Sequence, residues 1–382
     1  MTYVPAWQIL HPSLLWGAAR RDPLPYPLDQ PRLTYVYVAR NAIYYLFRAL
    51  HLRPDEVVLA PAYHSGNEIR AIRAAGATVR YYSIGRDFLP DMGELDRLSR
   101  EGARVLYVIH YLGWPQPLEA MTRLCQERGM RLVEDCALSF LSRWGDRPLG
   151  SIGSHSIFCL YKTLPIPDGG LLVENHDPVA GLTNLPQRQV NGTSTAGRAL
   201  NLLLEGVRSR SELAGKGLAA LKGLGGSMLS GAGVSRVPVG NIGFRIDHVD
   251  YAMTPLSRSI LGRLDYVEIV RRRRANFAAM KDRLEGWTWL PNLRLTEGVC
   301  PLFFPIWVRG NKTEAAAALR REGIAAVEFW NYGEADATAE EFPDMDFMRR
   351  HVLELPIHQD VTLREIDHMV ATLRRLGLST PA

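Results

Sequence analysis

Between Leu33 and Val173, short apolar runs alternate with helix-patterned segments, and this alternation constrains the chain most. Val57–Tyr63, Thr78–Ser83 and Val105–His110 read as strands. Leu33–Leu50 reads as a short strand followed by a helix. Further helices are expected after His64-Ser65-Gly66-Asn67, as far as Ala75, and over Leu118–Arg128. Strand–helix–strand order predicts a mainly parallel, doubly wound sheet, because parallel neighbours need a crossover and a helix supplies it. In such sheets chemistry collects outside the carboxyl ends of the strands. Two strand ends carry charge: Leu132-Val133 runs into Glu134-Asp135, and Ile157–Tyr161 runs into Lys162. After the lysine come TLPIPD, Gly169-Gly170 and the apolar run Leu171-Leu172-Val173. Two prolines and two glycines argue for a fixed, irregular loop there.

A lysine amine attacks a carbonyl only when neutral, and burial or a nearby cation favours that form. An aldehyde cofactor held by a lysine needs a carboxylate on its pyridine nitrogen if its ring is to act as an electron sink. Asp135 and Lys162, from two strand ends, suit that pair. On spacing alone a second reading stands beside it: Asp135 caps a turn and Lys162 is a solvated loop lysine, the usual state of both residue types.

The stretch Arg131–Val173 resembles the core of the DegT/DnrJ/EryC1/StrS family of PLP-dependent sugar aminotransferases. That family carries a strand ending in (E)DAA, a G-x-x-G-S-x-G-like turn, a Phe-Ser strand, the Schiff-base lysine and a following Gly-Gly. This chain has Glu134-Asp135-Cys136-Ala137, Gly150-Ser151-Ile152-Gly153, Phe158-Cys159, Lys162 and Gly169-Gly170. The resemblance extends over most of the chain and is weakest at the N-terminal tip and around 176–236. It selects the catalytic reading of Lys162. It implies an α/β fold of the type-I PLP-dependent transferases. A large domain, residues 1–250, would hold a mainly parallel seven-stranded sheet, an N-terminal arm and an insertion over 176–236. Residues 251–382 would form a smaller α+β domain. The resemblance further implies pyridoxal 5'-phosphate as cofactor and no metal. Lys162 would hold the cofactor and move the proton, and Asp135 would face the pyridine nitrogen.

The remaining cofactor contacts are expected at positions that depart from the family. Where the family opens a helix with Gly-Thr to bind the phosphate, this chain has Arg40-Asn41. Asn41 can donate to a phosphate and Arg40 can pair with it, at the site helix N-termini provide. The ring-stacking aromatic of the family falls on Ser65. His64, one residue earlier, is the candidate for the stack by its chemistry, with a surface turn histidine as the alternative. Cys159 takes the place of a phosphate-binding serine, and a thiol is a weak donor; Ser156 is the other candidate. GNIGFR, Gly240–Arg245, resembles the segment whose asparagine reaches the other subunit's cofactor. Counting back from Arg245 reaches Gly243, and Asn241, two residues earlier, is the candidate. His110-Tyr111-Leu112-Gly113 is similar to the family's H-x-x-G, and Leu138 stands where the family has Gln or His. VLELPIHQDV is similar to L-P-I-H-P-x-L-T, with His358 either facing the site or structural.

The resemblance implies transfer of an amino group to a keto sugar, expected to be nucleotide-linked, in polysaccharide or secondary-metabolite biosynthesis. Glutamate as donor is implied by the family alone. Two alternatives stand: a same-fold PLP enzyme of elimination, dehydration or carbon–carbon chemistry, favoured by Leu138, and a non-catalytic partner subunit, disfavoured by Lys162. A homodimer that completes each site is expected, since Arg40-Asn41 and Cys159 leave the phosphate short of ligands within one chain.

Composition sets outer bounds. At 382 residues, with 47% hydrophobic and 22% charged, the chain suits two soluble globular domains. A net charge of +5 suits a phosphorylated ligand. The run Arg271–Arg274 sits in VEIVRRRRANFAAMKDRL and is expected on the solvated face of a helix. The aromatic interleaving of a single-strand binder is missing, so no nucleic-acid partner is expected. The four cysteines form no C-x-x-C, against a zinc or redox motif, and suit a reducing cytoplasm. The N-terminus does not read as a signal peptide, and no apolar run reaches a membrane span. The insertion reads as one or two helices with a glycine-rich end. It is expected to act as a lid or dimer contact, or else as a basic amphipathic surface for a membrane or a lipid-linked substrate.

Overall fold

The computed structural model of the chain describes residues 2–182, 185–210, 243–286, 293–331 and 333–378. The large sheet uses β1 (Leu33–Val36), β2 (Val57–Pro61), β3 (Thr78–Tyr82), β4 (Ala103–Ile109), β5 (Arg131–Asp135), β8 (His155–Cys159) and β9 (Gly170–Glu174). The two-residue strands β6 (Arg143–Trp144) and β7 (Arg147–Pro148) form a separate hairpin. The order across the large sheet is β1-β9-β8-β5-β4-β2-β3. Strands β3, β2, β4, β5 and β8 run parallel, and β9 pairs antiparallel with both β8 and β1. This is the mainly parallel seven-stranded sheet expected. Strands β2, β8 and β9 are buried at every residue, which is why their apolar residues follow one another instead of alternating with polar ones.

Short α1 (Ser13–Trp16) precedes the sheet. The helices α2 (Ala39–Leu50), α3 (Asn67–Ala74), α4 (Met92–Ser99) and α5 (Leu118–Arg128) cover it. Helix α2 buries Ala42, Ile43, Leu46 and Phe47, an i, i+1, i+4, i+5 stripe facing the strands. The Asp91 carboxylate accepts the Gly93 and Glu94 amides and so fixes the start of α4. After β9 the chain forms α6 (Gly192–Arg210), then α7 (Pro255–Leu261) and the long α8 (Tyr266–Arg283). Asn241 and residues 211–236 of the insertion lie outside the described residues. Helix α6 packs on the N-terminal arm, where the Tyr3 hydroxyl donates to Glu205 at 2.6 Å.

The C-terminal part builds a two-stranded antiparallel sheet of β10 (Phe303–Trp307) and β11 (Val352–Pro356). It is flanked by α9 (Lys312–Arg321), α10 (Pro343–His351) and α11 (Leu363–Leu376). A capping box between Thr362 and Glu365 opens α11. The arm crosses to this part through a bridge from Val4 to Ile324. Among the described residues, no helix is long and apolar enough to cross a membrane.

The reading of Arg271–Arg274 as a solvated face holds for Arg271, which pairs with Glu268. It fails for Arg273, which is 1% exposed. On α8 the buried face is Ile269, Arg273, Asn276, Phe277 and Met280, and the guanidinium is solvated by protein acceptors instead of water.

Candidate active site

Ile109, Asp135 and Cys159 are the last residues of the neighbouring strands β4, β5 and β8, and all three line one cavity of about 210 Å³. Lys162 lines it from the turn after β8, and Val38, Ala39 and Arg40 line it from the start of α2. Parallel pairing places these groups together, since it brings the carboxyl ends of successive strands to one edge.

Asp135 is buried and fixed by two donors. The Tyr107 hydroxyl donates to Oδ2 at 2.5 Å and the Ala137 amide to Oδ1 at 2.8 Å. Burial pushes its pKa up, and the bonds from Tyr107 and Ala137 and the charge of Lys162 oppose the rise. A buried carboxylate in this state gains from a further cation in the cavity.

The turn Leu160–Lys162 is a single 3-10 turn closed by Thr163 N–H to Leu160 O at 3.0 Å. Its geometry explains the glycine pair. Gly169 holds φ +144°, a region that disfavours side chains. A Cβ on Gly170 would fall 2.5 Å from the Ala39 nitrogen, so only glycine lets β9 pass beneath the start of α2. Asp168 anchors the same loop by accepting from Thr254 N at 2.9 Å, Thr254 Oγ1 at 2.7 Å and Ser257 Oγ at 3.0 Å.

Burial pushes the Asp168 pKa up to about 6, against those three bonds. The folded chain therefore binds this proton more tightly than the unfolded chain does. The resulting stability is full below the ordinary aspartate range and is lost as pH rises through about 6. A shift of about two pH units corresponds to about 3 kcal/mol. Urea unfolding at several pH values should show Asp168→Asn lacking this loss between roughly pH 4 and 7. Parallel curves for variant and wild type would remove Asp168 as the source.

At the other wall, Val38 gives α2 no side-chain cap, and the first turn carries no acidic residue. The positive end of the helix dipole and the Arg40 side chain offer a positive edge to an anion. Burial pushes the Cys159 thiol up, so it stays protonated near neutral pH and donates only weakly.

Six of the residues singled out from sequence therefore meet at the cavity: Arg40, Ser65, Asp135, Leu138, Cys159 and Lys162. Three do not line it. The Asn41 amide turns away to donate to His248 O at 2.9 Å. Ser156 lies 3.2 Å from the Tyr26 hydroxyl, inside the sheet. His64 is fully buried with its ring stacked on Tyr81 at 5.3 Å, and its Nδ1 accepts the Gly66 amide, so burial holds it neutral. Asn241 lies outside the described residues. His358 takes the structural option, lying 3.1 Å from Pro5 O.

Other residues at the cavity were not singled out from sequence. Glu68 lines it and accepts from the amide of Ser65 at 2.7 Å and from its hydroxyl. Burial and the nearby Asp135 push its pKa up. The Ser65-x-x-Glu68 spacing of a capping box was the available signal. Phe329 and Trp330 form a wall from the C-terminal part, and Lys162 Nζ sits 5.6 Å from the Phe329 ring centre. That wall is held by buried groups. Lys312 Nζ donates to Phe329 O at 2.7 Å, and Glu354 accepts the Phe329 amide at 3.1 Å. Trp7 of the arm and Tyr161 also line the cavity.

Buried His110, Glu134 and Cys136 cluster nearby, but the cluster is structural. His110 Nδ1 accepts the Gln116 amide, so Nε2 carries the proton and donates to Glu134 at 3.0 Å. Glu134 also accepts the Gly150, Ile152 and Gly153 amides. Burial pushes its pKa up, but His110 and these amides outweigh that and hold the carboxylate below its usual range. No lone pair of His110 remains for a metal.

Residues 36–198 match the model of the DegT/DnrJ/EryC1/StrS aminotransferase family. GDP-perosamine synthases of Escherichia coli O157:H7 and Vibrio cholerae are each 24% identical, over 153 and 139 residues, or 38% and 36% of this chain. The matched stretches are 42% and 38% of those proteins, so the chain spans about two fifths of the length of the curated relatives it matches. The solved sugar aminotransferase CalS13 from Micromonospora echinospora superposes with a TM-score of 0.63 at 18% identity, covering 97% of this chain and 99% of that one. Spr1654 from Streptococcus pneumoniae, in its PLP form, gives 0.68 at 17% identity, with 98% of each chain covered. At these identities the likeness shows the fold, that of the type-I PLP-dependent transferases. Over residues 36–198 the chain is similar to the DegT/DnrJ/EryC1/StrS aminotransferase family.

Proposed function

We propose that this chain is a PLP-dependent aminotransferase that moves an amino group from glutamate to a keto sugar carried on a nucleotide. The observation that carries this reading is the meeting of Asp135 and Lys162, from the ends of adjacent strands, in one cavity that also takes the uncapped start of α2. The donor set fits pyridoxal 5'-phosphate. A buried carboxylate with a raised pKa suits a protonated pyridine nitrogen, and a helix N-terminus with an arginine suits a phosphate ester. When bound, PLP supplies an electron-poor ring that stabilises negative charge on the substrate carbon.

The chain's residues then divide the work. Asp135, aimed by Tyr107 and the Ala137 amide, keeps the proton on the pyridine nitrogen. Lys162 holds the cofactor at rest, and its Nζ, once released, takes and returns the substrate proton as general base and acid. Arg40 and the start of α2 receive the phosphate with Cys159 as a weaker contact, and Ser65 stands at the ring-face position. Ile43, Ile109 and Leu138 make the cavity apolar and limit water. The nucleotide-linked acceptor follows the names of the GDP-perosamine synthases.

The same proposal includes a homodimer. Arg245, in the segment that resembles the one crossing between subunits in the family, is exposed and pairs with Asp247 at 2.7 and 3.1 Å. It also includes a functional division into residues 1–250 and 251–382, and a reducing cytoplasm suited to four free, buried cysteines. The test supplies purified protein with PLP, glutamate and a panel of nucleotide-linked keto sugars, and follows 2-oxoglutarate. Protein that binds PLP yet forms none with any acceptor would reject amine transfer from glutamate. Sedimentation of the same sample reads the dimer directly.

A further inference from the structure

We infer that Gln8 of the N-terminal arm and Arg273 of α8 are positioning residues for Lys162, clamping the turn that carries it. The inference rests on Lys162 being the cofactor lysine. The Gln8 side chain is buried, and its Nε2 donates to Tyr161 O at 2.9 Å and to Leu164 O at 2.6 Å. These two carbonyls bracket Lys162. Between them, Thr163 O accepts from Arg273 Nη2 at 3.2 Å. The two clamping side chains also meet, with Arg273 Nη2 3.5 Å from Gln8 Oε1.

The rest of the guanidinium is tied to the C-terminal part. Nη1 donates to Pro301 O at 3.3 Å and Leu302 O at 2.9 Å, and Nε to Gln359 Oε1 at 3.1 Å. All five N–H groups of the arginine are thus matched by neutral oxygens, with no carboxylate among these acceptors. Burial pulls its pKa down, yet an arginine keeps its charge in proteins. A buried cation solvated only by carbonyls and amides is costly unless each bond is made. That cost makes the arrangement rigid, and the acceptors it fixes are those of the Lys162 turn, the arm and the edge of β10. These bonds reach the carbonyls of Tyr161, Thr163 and Leu164 and use no atom of the Lys162 side chain, which lines the cavity.

The turn's own amide bonds report the clamp: Leu160 N to Gly169 O at 2.9 Å, Thr163 N to Leu160 O at 3.0 Å and Leu164 N to Leu160 O at 2.8 Å. The test compares wild type with Gln8→Ala and Arg273→Lys. In the cofactor-free protein, hydrogen exchange of peptide 160–166 should quicken by about tenfold or more in the variants, the scale of losing one or two hydrogen bonds, while β4 and β5 stay unchanged. Dialysis should show affinity for PLP falling by about tenfold, and affinity for 4-deoxypyridoxine 5'-phosphate, which cannot bond to a lysine, staying near the wild-type value. Gln8→Ala leaves Arg273 with its carbonyl partners, so it carries the test if Arg273→Lys is insoluble. Unchanged exchange at the turn overturns the inference. So does an equal change for the two ligands in protein whose wild type binds PLP. A wild type that takes up neither ligand would reject the functional reading instead, and exchange at the turn would still decide the clamp.

Discussion

Replacing Lys162 by alanine is expected to abolish covalent attachment of PLP and to lower turnover by at least about 10²–10⁴-fold, the range general acid–base groups supply. Lys162 is the one lysine lining the cavity among the described residues. A second lysine, buried Lys312, is engaged with Phe329 O and interacts with the charge of Glu354. The turn around Lys162 is closed by backbone bonds and held by Gln8 and Arg273, none of which uses the lysine side chain. The variant should therefore fold normally, with a melting temperature close to wild type. Borohydride reduction fixes PLP on whichever lysine holds it, and peptide mass spectrometry then identifies the site. Recovery of PLP on any lysine of the Lys162→Ala protein would place the anchor elsewhere.

The strand ends were the legible part of this site. An apolar run that stops at Asp135 and another that stops just before Lys162 mark the carboxyl edge of a parallel sheet, and parallel pairing does the rest. Gly169-Gly170 was legible as a loop, but the reason needs the contact of β9 with the start of α2. Counting along the chain put Ser65 at the ring-face position, and Ser65 lines the cavity; the preference for His64 on chemical grounds led to a ring stacked on Tyr81. Asn41 belongs to the buried stripe of α2, which competes with any role at the helix start.

Phe329 and Trp330 carried no local signal, because long-range partners hold them at the cavity: the Val327–Glu354 bridge to β11, Lys312 and the Glu354 carboxylate. Arg273 shows a different failure. Four consecutive arginines look like surface, yet Ile269, Arg273 and Phe277 fall four residues apart on one helical face. The periodicity held the answer, and charge alone argued against it.

Asp135→Asn is expected to keep PLP bound while turnover falls by about 10²–10³-fold, the scale of losing one preorganised electrostatic partner. Asparagine can preserve the local bonds. Its oxygen can accept the Ala137 amide as Oδ1 does now, and its NH₂ can donate to the Tyr107 oxygen in place of accepting from it. Packing around β5 is therefore retained, and with it the phosphate wall at α2 and the attachment at Lys162. What is lost is charge. An amide cannot hold a proton on the pyridine nitrogen, so the ring draws electrons less strongly from the substrate carbon. Tyr107→Phe provides the graded comparison. It removes the 2.5 Å bond to Oδ2 but leaves the carboxylate. One buried hydrogen bond is worth roughly 1 kcal/mol, so turnover should fall only about fivefold. Stopped-flow measurement of the half-reaction with glutamate separates this from substrate binding. An Asp135→Asn protein that turns over at the wild-type rate would remove the carboxylate from the mechanism, and a Tyr107→Phe protein as slow as Asp135→Asn would make orientation, not charge, the deciding property.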